Sequence, residues 1–275
     1  MLTKPSDSPW LDRLNLLLLV LAGVIVMTPT AWMVLSSFKP SHEVTAFPPS
    51  LIFEPTLENY ARLNSQTPFL RYAMNSLIVT VGSTVLGLLL GAPAAFVASW
   101  TRITWPAVVT LMARMAPGTL FLLPWYVMFR HFDMIGSYWA LILTHAVITL
   151  PVVIWVLLPY FDNIPRSIYE AAQVDGCSPL RIFRRIALPL VSSGLTVSAI
   201  LAFVFSWNFF LFSLVLSNQS TKTLIAASFN FIGEGSTNWG GLMAAATIIA
   251  LPPLILAAIV QRWLISGLTL GAVKG

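Results

Sequence analysis

Long apolar runs dominate the sequence and restrict what it can fold into. Hydrophobic residues make up 57% of the 275 residues and charged residues only 9%, whereas soluble domains are about a quarter charged. A membrane-crossing helix needs about 20 consecutive, mostly apolar residues. The runs therefore predict an all-α, polytopic membrane protein with six transmembrane helices, at about 14–38, 74–100, 105–129, 137–161, 190–216 and 239–264.

One stretch between two of these runs is too polar to lie in lipid. Residues 164–190 read IPRSIYEAAQVDGCSPLRIFRRIALPL and carry six charged side chains, which places the stretch outside the bilayer. Pro165 suits the first turn of a helix. Gly176 suits a helix end, because glycine adopts the left-handed conformation at little cost. Ser178 and Pro179 suit the start of a second helix, so the stretch is predicted to form a helix, a glycine turn and another helix.

The same stretch resembles the EAA loop of ABC importer permeases. The resemblance rests on Glu170-Ala171-Ala172, on Gly176 ten residues before Ile186, and on Leu188-Pro189. In that family the loop is the coupling helix, which docks into a groove on the ATP-binding subunit. The resemblance implies ATPase-coupling roles for Glu170, Ala171, Ala172, Asp175, Gly176, Arg181 and Arg184. The arginines, with Arg185, also suit anchoring near lipid headgroups, and both roles stay open.

Other segments resemble the sugar-importer branch of that family. They are Ser37-Phe38-Lys39, Asn59-Tyr60, Asn75-Ser76, Trp207-Asn208 and the ending at 267–275. The ending resembles the tail of the smaller, six-helix permease subunit of maltose-type importers. The resemblance covers essentially the whole chain and implies a type I ABC importer permease fold. It implies a single transmembrane domain over 1–275, with a permease core at about 72–265, a coupling loop at 162–189 between helices 4 and 5, and a C-terminal tail at 266–275.

The resemblance also implies a set of partners. These are a second permease subunit, two ATP-binding subunits, an extracytoplasmic solute-binding protein and membrane lipid. The sequence contains no G-x-x-x-x-G-K-[ST] P-loop, so ATP and Mg²⁺ are expected on the partner subunits. This chain itself is expected to be no enzyme and to hold no cofactor or metal. The pattern of basic and aromatic residues typical of nucleic-acid binding is missing from the sequence.

The basic residues predict the orientation in a bacterial inner membrane. With both termini in the cytoplasm, nine Lys and Arg residues fall on cytoplasmic segments and five on outer segments, in agreement with the positive-inside rule. The nine are Lys4, Arg13, Arg102, Arg166, Arg181, Arg184, Arg185, Arg262 and Lys274, and the five are Lys39, Arg62, Arg71, Arg130 and Lys222. The EAA-like stretch then lies in the cytoplasm, and the loop at 217–238 faces outward.

Four residues in the predicted helices are candidates for the solute pathway: Arg114, Tyr126, Trp207 and Asn208. An arginine near the middle of a membrane helix costs about 2.5–3.5 kcal/mol on insertion scales. Arg114 therefore borders the pathway, pins two helices together, or reaches toward the headgroups. His145 is predicted to be a hydrogen-bonded packing residue. Gly87 and Gly91 form a G-x-x-x-G pattern that predicts close helix packing.

The predicted function is that of a permease subunit of an ATP-driven, binding-protein-dependent importer for a sugar or sugar-like solute. The alternatives are a secondary transporter, or a permease for another solute such as a polyol phosphate or a glycerophosphodiester. A secondary transporter usually needs buried carboxylates, and the six predicted helices contain no Asp or Glu. A membrane enzyme needs a catalytic constellation, whereas His42, His131 and His145 are scattered along the chain.

Overall fold

The computed structural model describes residues 9–115, 118–232 and 237–271. These residues form helices and connecting turns, with one isolated antiparallel bridge between Ile232 and Thr237, so the all-α prediction is confirmed. The helices are α1 (Pro9–Ser37), α2 (Glu58–Gln66), α3 (Phe69–Thr101), α4 (Trp105–Met115), α5 (Gly118–His131), α6 (Tyr138–Asp162), α7 (Arg166–Val174), α8 (Pro179–Ile182), α9 (Leu188–Leu190), α10 (Ser192–Trp207), α11 (Leu211–Leu216), α12 (Leu224–Ser228) and α13 (Trp239–Gly271).

Four of these helices are long and apolar enough to cross a membrane. Within the described residues they are Trp10–Ser37 of α1, all of α3 and α6, and Trp239–Ile259 of α13. A fifth candidate is the pair Pro179–Leu190 and Ser192–Trp207, whose two parts meet at 81°. The predicted third span is divided into α4 and α5 on either side of residues 116–117, which lie outside the described ranges. The count of six crossings therefore stays a prediction.

Several helix boundaries differ from the prediction. The sequence pattern predicts a separate surface helix at Phe69-Leu70, but these residues form the first turn of α3. A break is expected near Pro151, yet α6 continues through it, because only one backbone donor is lost and Pro151 is buried among neighbouring side chains. The single helix predicted at 190–216 instead ends at Trp207 and resumes at Leu211.

The structure changes two further expectations from the sequence. The outward loop predicted at 217–238 contains α12 and a 3₁₀ turn at Phe229–Phe231. The C-terminal tail predicted at 266–275 continues α13 as far as Gly271. Lys4 and Lys274, which enter the orientation count, lie outside the described residues.

The chain divides into two compact units. The first comprises Met1–Phe69, Ser228–Pro252 and Thr269–Gly275, and the second comprises Leu70–Ala227 and Pro253–Leu268. The EAA-like stretch belongs to the second unit. The prediction of one permease domain stays a prediction.

In the second unit, α3 and α6 approach each other closely at the glycines of α3. A Cβ atom on Gly87 would lie 2.6 Å from Oγ1 of Thr149, and one on Gly91 would lie 2.8 Å from Cγ1 of Val153. The Thr149 hydroxyl donates to the backbone oxygen of Ser83 at 2.8 Å, which only such a close approach allows. The predicted packing role of Gly87 and Gly91 is thereby confirmed.

Helix α6 is the most buried of the four candidate spans that consist of a single helix. Of the residues in the most apolar 18-residue stretch of α6, 56% are buried, compared with 39% in the corresponding stretch of α3. On another face it receives α10, where a Cβ atom on Gly194 would lie 2.6 Å from the Tyr160 ring. Because α3 and α10 both pack on α6, the three helices form the framework that carries the EAA-like stretch.

In the first unit, the segment that follows α1 contains a buried lysine. Lys39 is 1% exposed, and its Nζ donates to the backbone oxygen of Ser50 at 2.5 Å. The same ammonium lies 4.5 Å from the ring centroid of Trp32 and 5.1 Å from that of Phe53. Aromatic faces attract cations most strongly when water is excluded. Within the described residues no carboxylate lies at salt-bridge distance from Lys39.

Replacing Asn59 with alanine is expected to loosen the first unit. The Asn59 Nδ2 group donates to the backbone oxygens of Ser37 at 2.9 Å and Lys39 at 2.8 Å, and both bonds are buried. A buried carbonyl that loses its partner costs about 1–3 kcal/mol. Hydrogen exchange in residues 37–60 should accelerate in Asn59→Ala. It should be unchanged in Asn230→Ala, whose side chain is exposed; equal exchange in both variants would contradict this role.

Candidate functional site

The helix that contains the EAA triplet ends in a glycine turn. Helix α7 follows Pro165 and ends at Val174, and Gly176 has a φ of +75°. The Cys177 N–H donates to the Ala172 carbonyl at 2.9 Å, and the Gly176 N–H donates to the Gln173 carbonyl at 3.0 Å. This pair of bonds defines the Schellman motif, in which glycine is preferred at the left-handed position. The predicted turn at Gly176 is confirmed.

The chain re-enters helical structure immediately after this turn. Ser178 is extended, with φ −69° and ψ 154°, and Pro179 is the first residue of α8, as predicted. The Ser178 hydroxyl makes no capping bond to the helix. A π-helical turn at Phe183–Ala187 leads into α9, and the chain then bends by 81° into α10. The stretch therefore leaves the framework, turns twice and returns to it.

Helix α7 has one face against the framework and one face free. Tyr169 is 8% exposed and Ala172 is 5% exposed, whereas Val174 is 88% exposed. The side chains of Glu170 and Ala171 are exposed as well, and so is that of Asp175. The sequence spacing predicts an apolar set of Ile168, Ala171, Ala172 and Val174, and of these four only Ala172 is buried. Residues three apart share a helix face, so Tyr169 and Ala172 form the buried face, and Tyr169 was missed by sequence reasoning.

Tyr169 joins α7 to the end of α3 through aromatic contacts. Its ring centroid lies 6.0 Å from that of Phe96 and 5.1 Å from that of Trp100. Phe96 in turn lies 5.7 Å from Phe161 at the end of α6 and 5.2 Å from Phe183 in the π-helical turn. Aromatic pairs at such spacings add stability beyond the burial of their area. One aromatic cluster therefore connects α3, α6, α7 and the π-helical turn.

A charged cleft of about 120 Å³ lies beside this cluster. Arg102, Arg166, Asp162 and Glu170 all line it. Asp162 lies in the last turn of α6, one residue beyond the predicted span, so α6 does contain a carboxylate, at its end. Its Oδ1 accepts a hydrogen bond from the Ser99 hydroxyl at 2.5 Å.

The Tyr169 hydroxyl is buried at this cleft. Among the residues that the structure describes, none offers it a hydrogen-bond partner. Burial raises the pKa of Tyr169 above its ordinary value, and the negative charge of Asp162 raises it further. A tyrosine hydroxyl already keeps its proton at neutral pH, and the raised pKa extends that neutral form to higher pH.

The basic residues of the stretch lie at its surface. Arg181, Arg184 and Arg185 are exposed, whereas Ile182, between the first two, and Ala187, two residues after the last, are buried. Together with the free face of α7 they form one continuous segment of chain that carries exposed charges of both signs. We refer to residues 164–190 as the coupling segment, after the role that the family resemblance predicts for them.

Comparison with known proteins identifies the family. Residues 83–269 match the family of binding-protein-dependent transport system inner membrane components. The chain belongs to this family. It is 35% identical over 252 residues to a probable ABC transporter permease protein, y4oR, of Sinorhizobium fredii, with 91% of each chain covered. It is 32% identical to the diacetylchitobiose uptake system permease protein DasC of Streptomyces coelicolor, covering 90% of this chain and 91% of DasC.

The fold of this permease also resembles a solved structure. A bacterial ABC transporter involved in the import of the acidic polysaccharide alginate superposes with a TM-score of 0.74. The match covers 95% of this permease and 99% of that chain, at 18% sequence identity. At that identity the likeness establishes the fold alone.

The four pathway candidates of the permease have different surroundings. Trp207 is buried, and its ring stacks on Phe203 with centroids 5.7 Å apart. Asn208 is exposed where α10 ends, and its Nδ2 donates to the Val204 carbonyl at 2.8 Å. Tyr126 is partly buried in an apolar cluster of α3, α5, α6 and α11. Arg114 lies on α4, but its side chain is outside the part of the chain that the structure describes.

His145 of the permease is a packing residue, as predicted. It is 1% exposed. Its Nδ1 lies 2.8 Å from the Leu141 carbonyl oxygen and its Nε2 lies 3.3 Å from the Phe209 carbonyl oxygen. The second contact uses a carbonyl that the break between α10 and α11 leaves outside the helices. His145 therefore helps to hold that break in place.

Proposed function

We propose that this permease forms half of the translocation pathway of an ATP-driven importer for a sugar or sugar-like solute. Family membership supports the importer, and the relative DasC, which is described as a diacetylchitobiose uptake permease, supports a carbohydrate. The complex contains a second permease subunit, two ATP-binding subunits and an extracytoplasmic solute-binding protein. It lies in a bacterial inner membrane with both termini in the cytoplasm, so that the coupling segment faces the ATP-binding subunits.

The free face of α7 carries this proposal. Glu170 and Ala171 are exposed beside Val174, which is 88% exposed. An acidic residue next to small and apolar side chains suits a complementary groove on a partner, where apolar contact adds to a charge-assisted bond. The opposite face is fixed by Tyr169 and Ala172. Because α7 is packed on the framework, a partner bound to its free face moves α7 and the framework together.

In this mechanism the permease transmits motion and performs no chemistry. ATP and Mg²⁺ are held by the ATP-binding subunits, whose closure displaces the coupling segment. The displacement reaches α6 and α10 directly, because α6 precedes the coupling segment and α10 follows it. The pathway then changes its access from one side of the membrane to the other. Asn208 and Trp207 at the end of α10, with Arg114 and Tyr126, are the residues we assign to this pathway.

The test is whether Glu170→Ala loses the ATP-binding partner. Loss of a charge-assisted hydrogen bond costs about 1.5–3 kcal/mol, which corresponds to roughly ten- to 100-fold weaker association. Affinity-tagged permease should recover at least about tenfold less ATP-binding subunit. Uptake of labelled oligosaccharide into proteoliposomes should fall in parallel.

Glu58→Ala is the matched control. Glu58 is an exposed glutamate on α2 that pairs with Arg62, and its loss should leave recovery and uptake unchanged. Wild-type recovery of the ATP-binding subunit with Glu170→Ala would refute the docking role. Uptake by the wild-type permease without ATP would refute the importer itself.

A further inference from the structure

The end of α3 remote from the coupling segment holds the chain that follows α11. Asn75 is 1% exposed, and its Nδ2 donates to the backbone oxygens of Ser220 and Lys222, both at 2.9 Å. Its Oδ1 accepts from the Tyr138 hydroxyl at 2.6 Å. The next residue, Ser76, accepts the Leu224 N–H on its hydroxyl at 2.8 Å. One turn of α3 therefore fixes three points along residues 217–224, which we call the distal segment.

The distal segment is itself well ordered by hydrogen bonds. Oδ1 of Asn218 accepts the backbone N–H groups of Ser220 at 2.9 Å and Thr221 at 3.1 Å. The Thr223 hydroxyl lies 2.7 Å from that of Ser213 on α11. Because the segment is bonded both to Asn75 and Ser76 on α3 and to Ser213 on α11, a displacement of α3 relative to α11 strains these bonds and changes how often they open.

The two ends of α3 are separated by the thickness of a membrane. Asn75 and Phe96 are 21 residues apart, which is about 32 Å along a helix at ~1.5 Å per residue. The hydrocarbon core of a bilayer is about 30 Å thick. Helix α3 is continuous over this distance, and its glycines pack it against α6.

The same helix pair is engaged at both ends. At the distal end, Asn75 of α3 bonds Tyr138 at the start of α6. At the other end, Phe96 of α3 contacts Phe161 of α6 and Tyr169 of α7. The attachment points of this connection lie on α3, α6 and α7. Helix α10, the second helix next to the coupling segment, meets α3 where the Ser83 and Ser206 hydroxyls lie 2.8 Å apart.

We propose that α3 is a rigid link between the coupling segment and the distal segment, with Tyr169 and Asn75 as its two attachment points. The proposal rests on the proposed function, because it takes the ATP-binding subunits as the source of movement. A displacement of α7 is transmitted to α3 through the Tyr169 ring, and from α3 to the distal segment through the Asn75 amide. The distal segment, on the outer face, thereby changes position with the nucleotide state. Tyr169 and Asn75 are positioning residues and touch neither solute nor nucleotide.

The experiment measures hydrogen exchange in the distal segment of the complete complex. The permease is purified with its ATP-binding subunits, placed in nanodiscs, and compared without nucleotide and with ATP and vanadate. In the wild type, the exchange rates of residues 217–224 should change by about five- to tenfold between the two states, which is at the low end of known couplings between sites. In Tyr169→Ala the change should fall below about twofold, although the substitution lies a membrane thickness away.

Two further variants separate a link from a general loss of structure. Tyr169→Phe keeps the ring and removes only the unpartnered hydroxyl, so it should retain the wild-type response. Asn75→Ala should lose the response from the other attachment point, even though its baseline exchange rises. Ser198→Ala, which removes a buried hydroxyl that donates to the Leu195 carbonyl within α10, should retain the response.

The outcomes distinguish the link from the proposed function. A wild-type complex that hydrolyses ATP without any change in the distal segment overturns the link alone. A full response in both Tyr169→Ala and Asn75→Ala overturns it too. A permease that co-purifies with no ATP-hydrolysing partner overturns the proposed function and the link with it.

Discussion

Replacing Gly87 with leucine is expected to push α3 away from α6 and to destabilise the framework strongly. A Cβ atom at this position would lie 2.6 Å from Oγ1 of Thr149 and 3.3 Å from the Thr149 backbone carbon. A rotamer change relieves the first contact, but only a shift of the helix axis relieves the second. Overpacking costs about 1–3 kcal/mol, and the bond from Thr149 to Ser83 is worth about 0.5–1.5 kcal/mol more. Thermal unfolding in detergent should show a large drop in Tm.

Gly23→Leu is the matched control for this prediction. Gly23 also lies in a candidate membrane span, but nothing approaches within 4 Å of the position of its Cβ atom. The substitution adds the same side chain without a collision, and the Tm should stay close to that of the wild type. Equal Tm values for the two variants would show that the close contact between α3 and α6 does not support the fold.

Replacing Gly176 with valine is expected to leave a folded, inserted permease that no longer couples ATP to transport. Gly176 has a φ of +75°, and nothing lies within 4 Å of where its Cβ atom would be. The effect is therefore conformational. The left-handed region costs an L-residue about 1–2 kcal/mol, and a β-branched residue is a genuine outlier there. If the turn opens, the backbone hydrogen bonds donated by Cys177 and Gly176 are lost, and the angle between α7 and α8 is no longer fixed.

The measurement compares ATP-dependent uptake with membrane insertion. Uptake in proteoliposomes should fall to background in Gly176→Val, while the amount of permease in the membrane and its Tm stay near wild type. Gly176→Asn is the control, because asparagine tolerates the left-handed conformation, and it should retain most of the uptake. Wild-type uptake by the valine variant would mean that the shape of the turn is irrelevant to coupling.

The sequence predicts the coupling segment well where the chemistry is local. A left-handed glycine and a proline at a helix start are properties of single residues, so the turn at Gly176 and the start of α8 at Pro179 follow from the sequence. The close contact at Gly87 follows in the same way, because glycines four residues apart in an apolar helix leave room for a second helix backbone.

The sequence does not predict which face of α7 is buried. Nine residues give about two and a half turns, so apolar periodicity cannot choose between Ile168 or Val174 and Tyr169. The choice depends on where Phe96 and Trp100 lie, some 70 residues earlier in the chain. The cleft between Arg102 and Asp162 is hidden from the sequence for the same reason.

The break between α10 and α11 also depends on tertiary structure. Residues 190–216 are mostly apolar and carry no charged residue, and this pattern predicts one continuous helix. The break is tolerated because the carbonyl of Phe209 meets a ring nitrogen of His145 at 3.3 Å and the amide of Asn208 bonds Val204. Such compensation comes from another helix or from a side-chain rotamer, which the apolar pattern does not encode.

The burial of Lys39 has a consequence for how the protein responds to salt outside the cell. Its charge is balanced by the faces of Trp32 and Phe53 and by one carbonyl, in a site closed to water. Dissolved ions weaken attractions between exposed charges but act much less on buried ones. On the proposed topology, the segment after α1 therefore keeps its shape as external salinity rises, whereas the exposed pair of Arg62 and Glu58 weakens.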